Sequence, residues 1–513
     1  MPTMSLSTDA IATDGPRADW RGWAALVVLM LPVLLVSIDN TILNFALPAI
    51  ARELEPSSAE QLWIIDAYSL VLAGLLVTAG SLGDRIGRRR ILLIGAVGFT
   101  LVSVGAVFAP TSGTLIAARA AMGVFGAALM PSTMSLLRST FRNRDQRRIA
   151  IAAWSGSFAA GGALGPIVGG LLIEYFPWRS VFLIAVPVLV LMLAFVPLLV
   201  RESRDPNPGP VDGWGIVLSM LALAPLAFGI KELASESPVA GVLSLVVGLG
   251  FGWGFVRRQR RIPHPMLDLS LFQRPKFTGS LIVNLACIMA YIGFLYFASQ
   301  HLQMIAGLSA LDAGLALLPG AVVAIAAGFA VVPFARRYRA SIVVPVTLVV
   351  GVAGLVLVGV AGAHDTWMLI LAFVLLGVGL GAAQAVSGEL IISSAPAERA
   401  GAASAISETA YEFGAVLGTS ILGGILTAWY RIALEIPAGV PGRLGAHARE
   451  TLAGAVNAAD EIGGPVGQAL SENAAAAFDG GVIATSLIAA AFLVIAGVVS
   501  AATLGRRRAV EPR

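Results

Sequence analysis

Long apolar runs are what most constrain the fold of this chain. Fourteen stretches, each near the roughly 20 residues that cross a bilayer as a helix, follow one another from residue 22 to residue 504. Their approximate limits are 22–46, 61–81, 91–109, 114–136, 149–173, 180–200, 214–231, 239–256, 278–299, 311–333, 341–361, 367–391, 401–428 and 480–504. The run 401–428 is the least hydrophobic, with two Glu in it, yet it is rich in Ala, Gly and Leu. Only 12% of the 513 residues are charged, about half the share usual in a soluble domain. A β-barrel would show alternating segments of about ten residues instead. The 57 glycines suit helices that pack closely in lipid. The expected fold class is therefore an all-α polytopic membrane protein.

Arg and Lys give the orientation. RIGRRR (85–90), the cluster Arg138–Arg148, RRQRR (257–261) with Arg274 and Lys276, RRYR (336–339) and RRR (506–508) fall in alternate loops. With both termini counted, about 27 of the 34 basic residues lie on one side and about six on the other, with Arg119 inside a span. That asymmetry places the basic loops and both termini in the cytoplasm. An even number of spans agrees with it. The net charge of +4 thus reads as a topology signal, not as a nucleic-acid surface. Residues 1–20 are polar, and the first apolar run is too long for a cleavable signal.

The organisation expected is a tail (1–21), a six-helix bundle (22–200), two inserted helices with their linkers (201–276), a second six-helix bundle (277–504) and a tail (505–513). If these two bundles are equivalent halves, the similar small-residue strings GGALGPIVGG (161–170) and GAVLGTSILGG (414–424) match the fifth span to the thirteenth, with chance likeness between Gly-rich helices as the competing explanation. The long outer loop 429–479 holds Ala-rich stretches at 444–462 and 466–478, separated by Gly463, Gly464 and Pro465. A helical hairpin near the outer membrane face is expected there.

Ionisable residues inside spans cost at least about 2.5 kcal/mol each near the bilayer centre, so each requires a reason. Asp39 stands among Asn40, Thr41 and Asn44. A desolvated carboxylate there can hold a proton or a cation, and holding both is disfavoured; helix packing through neighbouring amides is the plainer alternative. Asp66 has Trp63 one turn before it and Ser69 one turn after, so a cation could meet both carboxylate and aromatic face. Arg119, read as the only basic residue deep in a span, needs a carboxylate or carbonyl partner. Glu408 and Glu412 share one helix face at i, i+4 with Tyr411 alongside, and their like charges repel. Glu389 lies nearer the cytoplasmic end, where solvation alone would explain it.

The turn GSLGDRIGRRR (80–90) places Gly80 and Gly87 about Asp84, Arg85 and Arg88. Asp84 there could cap a helix N-terminus or latch onto an Arg across an interface. GPIVGG (165–170) joins Pro166 to Gly165, Gly169 and Gly170, as a kinked, tightly packed helix would. Cys287 is the one cysteine, and His264, His301, His364 and His447 fall near loops without clustering. No P-loop, nucleophile elbow or HExxH motif is present, so neither enzyme chemistry nor ATP hydrolysis is expected, and no metal or cofactor.

Four strings resemble the major facilitator superfamily, in its fourteen-helix drug:proton antiporter branch. GSLGDRIGRRR resembles the loop signature between the second and third helices, and LIAARAAMGVFGA the helix-four signature with its buried Arg, here Arg119. GGALGPIVGG resembles the antiporter signature of helix five, and IDNTILNFALP the helix-one signature with Asp39. WIIDAYSL and SETAYEFGAVLG look like quaternary-ammonium efflux pumps of the Qac, Smv and Lfr type. The resemblance implies the superfamily fold in a 6+2+6 arrangement and a multi-pass protein of the bacterial inner membrane. It further implies proton-driven export of lipophilic cations, with Asp39, Asp66, Glu408 and Glu412 in recognition or coupling. The energy source would be the proton gradient, with no cofactor, no nucleic-acid partner and a monomeric chain. Related pumps also use an Asp in helix ten; here Asp312 stands only at that span's outer start. Export of an endogenous metabolite, lipid or self-made antibiotic is the alternative, ahead of a membrane sensor.

Overall fold

A computed structural model describes residues 17–205, 212–233, 238–263, 265–361, 365–396 and 400–505. His264 and His364 lie outside the described residues. Among the described residues, fourteen helices are long and apolar enough to span a membrane. They are α1 Trp20–Leu54, α2 Ser58–Ile86, α3 Arg88–Ala106, α4 Ser112–Thr140, α5 Arg144–Tyr175, α6 Ser180–Leu199 and α7 Gly213–Leu233. The others are α8 Pro238–Gln259, α9 Pro275–Ile305, α10 Ala310–Arg337, α11 Ala340–Val360, α12 Thr366–Ser394, α13 Ala402–Ala433 and α14 Gly464–Leu504. Their even number returns the last helix to the end where the basic loops lie, called here the basic end.

Two large apolar cores form. One draws on α1 to α6, from Ala25 to Val200. The other draws on α9 to α14 but also takes in Phe45, Leu47, Leu62 and Ile65 of α1 and α2. Those four lie away from the basic end, so there the two halves share one core. Hydrogen bonds reinforce the same region. Ser299 Oγ donates to the Asn44 carbonyl at 2.7 Å, and Gln303 Nε2 to the Phe45 carbonyl at 3.2 Å.

Small residues bring the helices together. A Cβ at Gly165 would collide with Thr41, and one at Gly169 would approach Ile42 Cγ1 to 2.8 Å, so this face of α5 lies on α1 within the first half. The next face crosses to the second half: a Cβ at Gly170 would come within 2.6 Å of the Ala310 carbonyl oxygen, and Gly314 abuts Pro166. The antiporter-like string is thus a two-sided seam, and its crossing side belongs to the far-end seal. Gly80 has only ordinary contact with Pro131.

The α2–α3 turn departs from one expectation. Asp84 pairs with Arg88 in its own turn, at 2.8 Å, and does not reach across the halves. Nor does it cap α3. Glu202, from the segment after α6, accepts from the Arg89 and Arg90 backbone N–H groups at 2.9 and 3.2 Å. A carboxylate at a helix N-terminus meets both the orphan donors and the positive end of the dipole. Gly87 makes room for it: φ is 115°, and a Cβ would stand 2.6 Å from the Glu202 carboxyl carbon. Arg85 is exposed.

The inserted pair α7 and α8 forms a tight hairpin. Asp212 closes its basic end, accepting from Gly215 N at 2.9 Å, Arg258 Nε at 2.8 Å and Gln259 Nε2 at 2.9 Å. Burial opposes the charged form of Asp212, but these bonds and the Arg258 charge outweigh it and hold the carboxyl below its usual range. The outer loop differs from the expected hairpin. Helices Gly442–Glu450 and Leu452–Ile462 form, but the stretch 466–478 is the start of α14, a helix of 41 residues. Gly463, at φ 62°, makes the break, and helix resumes at Gly464 with Pro465 in its first turn, where a missing N–H costs nothing. Tyr430 Oη donates to the Ala448 carbonyl at 2.9 Å and ties this loop to α13.

Candidate functional site

Four carboxylates were expected from the sequence to work together, and the structure divides them into two kinds. Asp39 and Asp66 each carry a buried internal cation. Glu408 and Glu412 carry none among the described residues, and they line a cavity.

Arg119 Nη1 lies 2.7 Å from Asp39 Oδ2, and its Nε donates to the Ile64 carbonyl at 3.3 Å. The guanidinium also lies over the Tyr68 ring, 4.6 Å from its centroid. Carboxylate, carbonyl and aromatic face together compensate a side chain that is 1% exposed. A pair this enclosed is costly to break, because the remaining charge would stand alone in an apolar medium.

Asp66 has a partner that the sequence reading missed. Lys231 Nζ of α7 lies 2.9 Å from Asp66 Oδ2, with both side chains almost wholly enclosed. The ammonium is 3.7 Å from the Trp63 ring centroid and donates to the Leu62 carbonyl at 3.3 Å. Ser420 Oγ of α13 donates to the same Asp66 oxygen at 3.0 Å. It does so from a π-helical turn, Gly418–Gly423, a local widening of the kind often found at functional sites. Arg119 is therefore not the only enclosed basic residue, although Lys231 lies near the end of its helix. Lys231, counted from sequence with the outer side, faces inward. Its sequence neighbours gave little warning, since the apolar run simply ends there.

Glu412 of α13 accepts from Asn40 Nδ2 of α1 at 3.1 Å, and its other oxygen is buried without a well-formed hydrogen bond. One turn earlier, Glu408 is half-buried. Both line a cavity of about 140 Å³ between the halves. Its first-half wall includes Leu76, Trp154 and Phe158; Asn284 and Tyr411 join the acids on the other side. Phe158 and Tyr411 meet edge to face across it, with centroids 5.2 Å apart. The cavity lies between the far-end seal and the basic end. Two acids with no ion-pair partner among the described residues, set among aromatic rings, can accept a hydrophobic cation or protons, and the repulsion between them makes full ionisation with nothing bound costly.

The remaining expectations sort simply. Glu389 is exposed, five residues before the Ser394 end of α12, and does not line the cavity. Asp312 belongs to a helix cap, 3.1 Å from Ser309 Oγ, not to the cavity. Cys287 is buried in the second core. No group of potential metal ligands occurs among the described residues. His301, near the loop that follows α9 as read from the sequence, is also buried, with Nδ1 2.9 Å from Asp479 Oδ1 of α14.

With this geometry in hand, the comparisons agree on a class. The chain belongs to the Major Facilitator Superfamily, matched over residues 29–419 and again over 321–444. It is 50% identical to the multidrug efflux pump LfrA of Mycolicibacterium smegmatis, across 94% of this chain and 96% of the other. It is 33% identical to the methyl viologen resistance protein SmvA of Salmonella typhimurium, across 90% and 93%. A crystal structure of a bacterial homologue of the human lysosomal transporter Spinster shares the fold, at TM-score 0.64 and 19% identity over 95% of this chain and 99% of that one. The protein is a membrane transporter of this superfamily, similar to multidrug efflux pumps, and a multi-pass protein of the bacterial inner membrane.

Proposed function

We propose that this protein is a proton-coupled antiporter that exports lipophilic organic cations, quaternary ammonium compounds and cationic dyes among them. The observation that carries the reading is the cavity in which Glu408 and Glu412 stand unpaired among Trp154, Phe158 and Tyr411. The other two central acids already have cations; these two have room for one. The basic end faces the cytoplasm on this reading, and a cation enters the cavity from there. Protons arriving from outside neutralise the carboxylates and release it. Likeness to a pump called a multidrug efflux pump and to a methyl viologen resistance protein agrees with cationic cargo.

Ethidium efflux from energised cells tests this directly. Efflux should stop when an uncoupler collapses the proton gradient, and a variant carrying Glu408→Gln and Glu412→Gln should retain ethidium as transporter-free cells do. Efflux that continues in uncoupled cells would remove the proton from the mechanism. Full efflux by the double variant would remove the two acids.

A further inference from the structure

The arrangement about Lys231 is that of an occupied cation site. An ammonium rests on an indole face, 3.7 Å from the ring centroid, with a carboxylate oxygen at 2.9 Å. Aromatic face plus anion is how proteins recognise organic ammonium ions. Here the ammonium is the protein's own, delivered by an inserted helix that belongs to neither six-helix half.

Three independent parts of the chain meet at Asp66. The first half supplies Asp66 and Trp63, the second supplies Ser420, and the insert supplies Lys231. Leu70, Ala227 and Val416 pack together beside them, one from each of the same three parts. Since α2 and α13 lie in different halves, opening of the far end separates Ser420 from Asp66. Lys231 lies in the last described turn of α7, Gly213–Leu233, and a lysine's four-carbon stem is long enough to carry its ammonium from such a position toward the membrane surface. The carboxylate and ring would then stand empty, facing the exit.

We propose that Asp66 and Trp63 form a second, exit-side site for organic cations, and that Lys231 is a tethered cation that occupies it while the far end is sealed. Exported cargo leaving the Glu408 and Glu412 cavity takes the place of Lys231 as the far end opens. The return of Lys231 expels the cargo and reseals the site. The exchange conserves charge, since one monovalent cation replaces another on a single carboxylate. The inference rests on the cationic cargo proposed above.

Tetraphenylphosphonium binding to the purified full chain in lipid nanodiscs tests it. The wild type should bind one equivalent, at the cavity. Lys231→Gln should bind a second equivalent, and Asp66→Asn added to it should abolish that second equivalent. Lys231→Gln leaves Asp66 buried without its cation, so its thermal midpoint should fall, and saturating tetraphenylphosphonium should raise that midpoint more than it raises the wild type's. The Asp66→Asn, Lys231→Gln pair removes both charges and should show no such extra rise. A Lys231→Gln variant with wild-type stoichiometry and no extra thermal rise would overturn the tethered-cation proposal while leaving the cavity reading intact. A second equivalent that survives Asp66→Asn would also overturn it. A wild type that binds no tetraphenylphosphonium would instead overturn the cationic cargo itself.

Discussion

Asp39 and Asp66, set against Glu408 and Glu412, show how one membrane interior holds two kinds of acid. The aspartates sit in enclosed ion pairs with Arg119 and Lys231, each backed by a main-chain carbonyl and an aromatic ring. Glu412 has the Asn40 amide on one side, and both glutamates face the cavity. Burial is costly for all four. The first two are compensated within the fold in this far-end-sealed arrangement. The last two are left for something mobile to compensate. A carboxylate's environment, more than its presence in a span, decides which work it does.

The comparison can be broken most severely at Arg119. Arg119→Met should strand Asp39 and cost about 3–5 kcal/mol, the range for removing one partner of a buried pair. Most of that should return when Asp39→Asn is added, since the pair then leaves no net charge. Thermal unfolding of the purified proteins in detergent reads both. Equal instability of the single and double variants would show that Arg119 packs and does not pair.

Next comes transport. Glu408→Gln and Glu412→Gln should each lower the efflux of a monovalent cation at least about ten-fold, worth some 1.4 kcal/mol or more, yet leave thermal stability unchanged or raised. Initial efflux rates beside melting curves separate the two effects. Asp39→Asn, which leaves Arg119 without its carboxylate, should show the reverse order, with stability lost first.

Smaller effects sharpen the picture of the frame. Gly165→Ala forces a Cβ onto Thr41 and should cost about 1–3 kcal/mol, the usual toll of overpacking. Thr41→Ser, which removes a methyl group and keeps the hydroxyl, should not rescue it fully. Glu202→Gln keeps the shape of the α3 cap but removes its charge, and should cost about 0.3–1 kcal/mol. Glu389→Gln, at an exposed position, should change stability and efflux hardly at all. An effect of Glu389→Gln as large as that of Glu408→Gln would mean the cavity alone does not mark the working acids.

Much of this was legible in the sequence, for physical reasons. A helix that crosses lipid must be apolar along its whole length, so the fourteen spans announce themselves. Buried acids stand out against that background, and i, i+4 spacing places Glu408 and Glu412 on one face. Partners are less legible. Lys231 lies where an apolar run ends, and nothing local distinguishes a lysine turned toward a far carboxylate from one in solvent. Glu202 is over a hundred residues from the helix it caps. His301 and Asp479 meet only because α9 and α14 pack together. The stretch 466–478 looked separable because glycine and proline precede it, but proline in a first turn starts a helix as readily as it ends one.

The division of the four acids stands or falls on cation affinity. Equilibrium binding of ethidium to purified protein should be compared between the Glu408→Gln, Glu412→Gln variant and the Asp39→Asn, Arg119→Met variant, both confirmed folded by melting. The first should bind at least about 100-fold more weakly than wild type, a loss near 2.7 kcal/mol, while the second stays within a few-fold. Undiminished binding by the glutamate variant, with binding lost in the aspartate–arginine variant, would contradict the account.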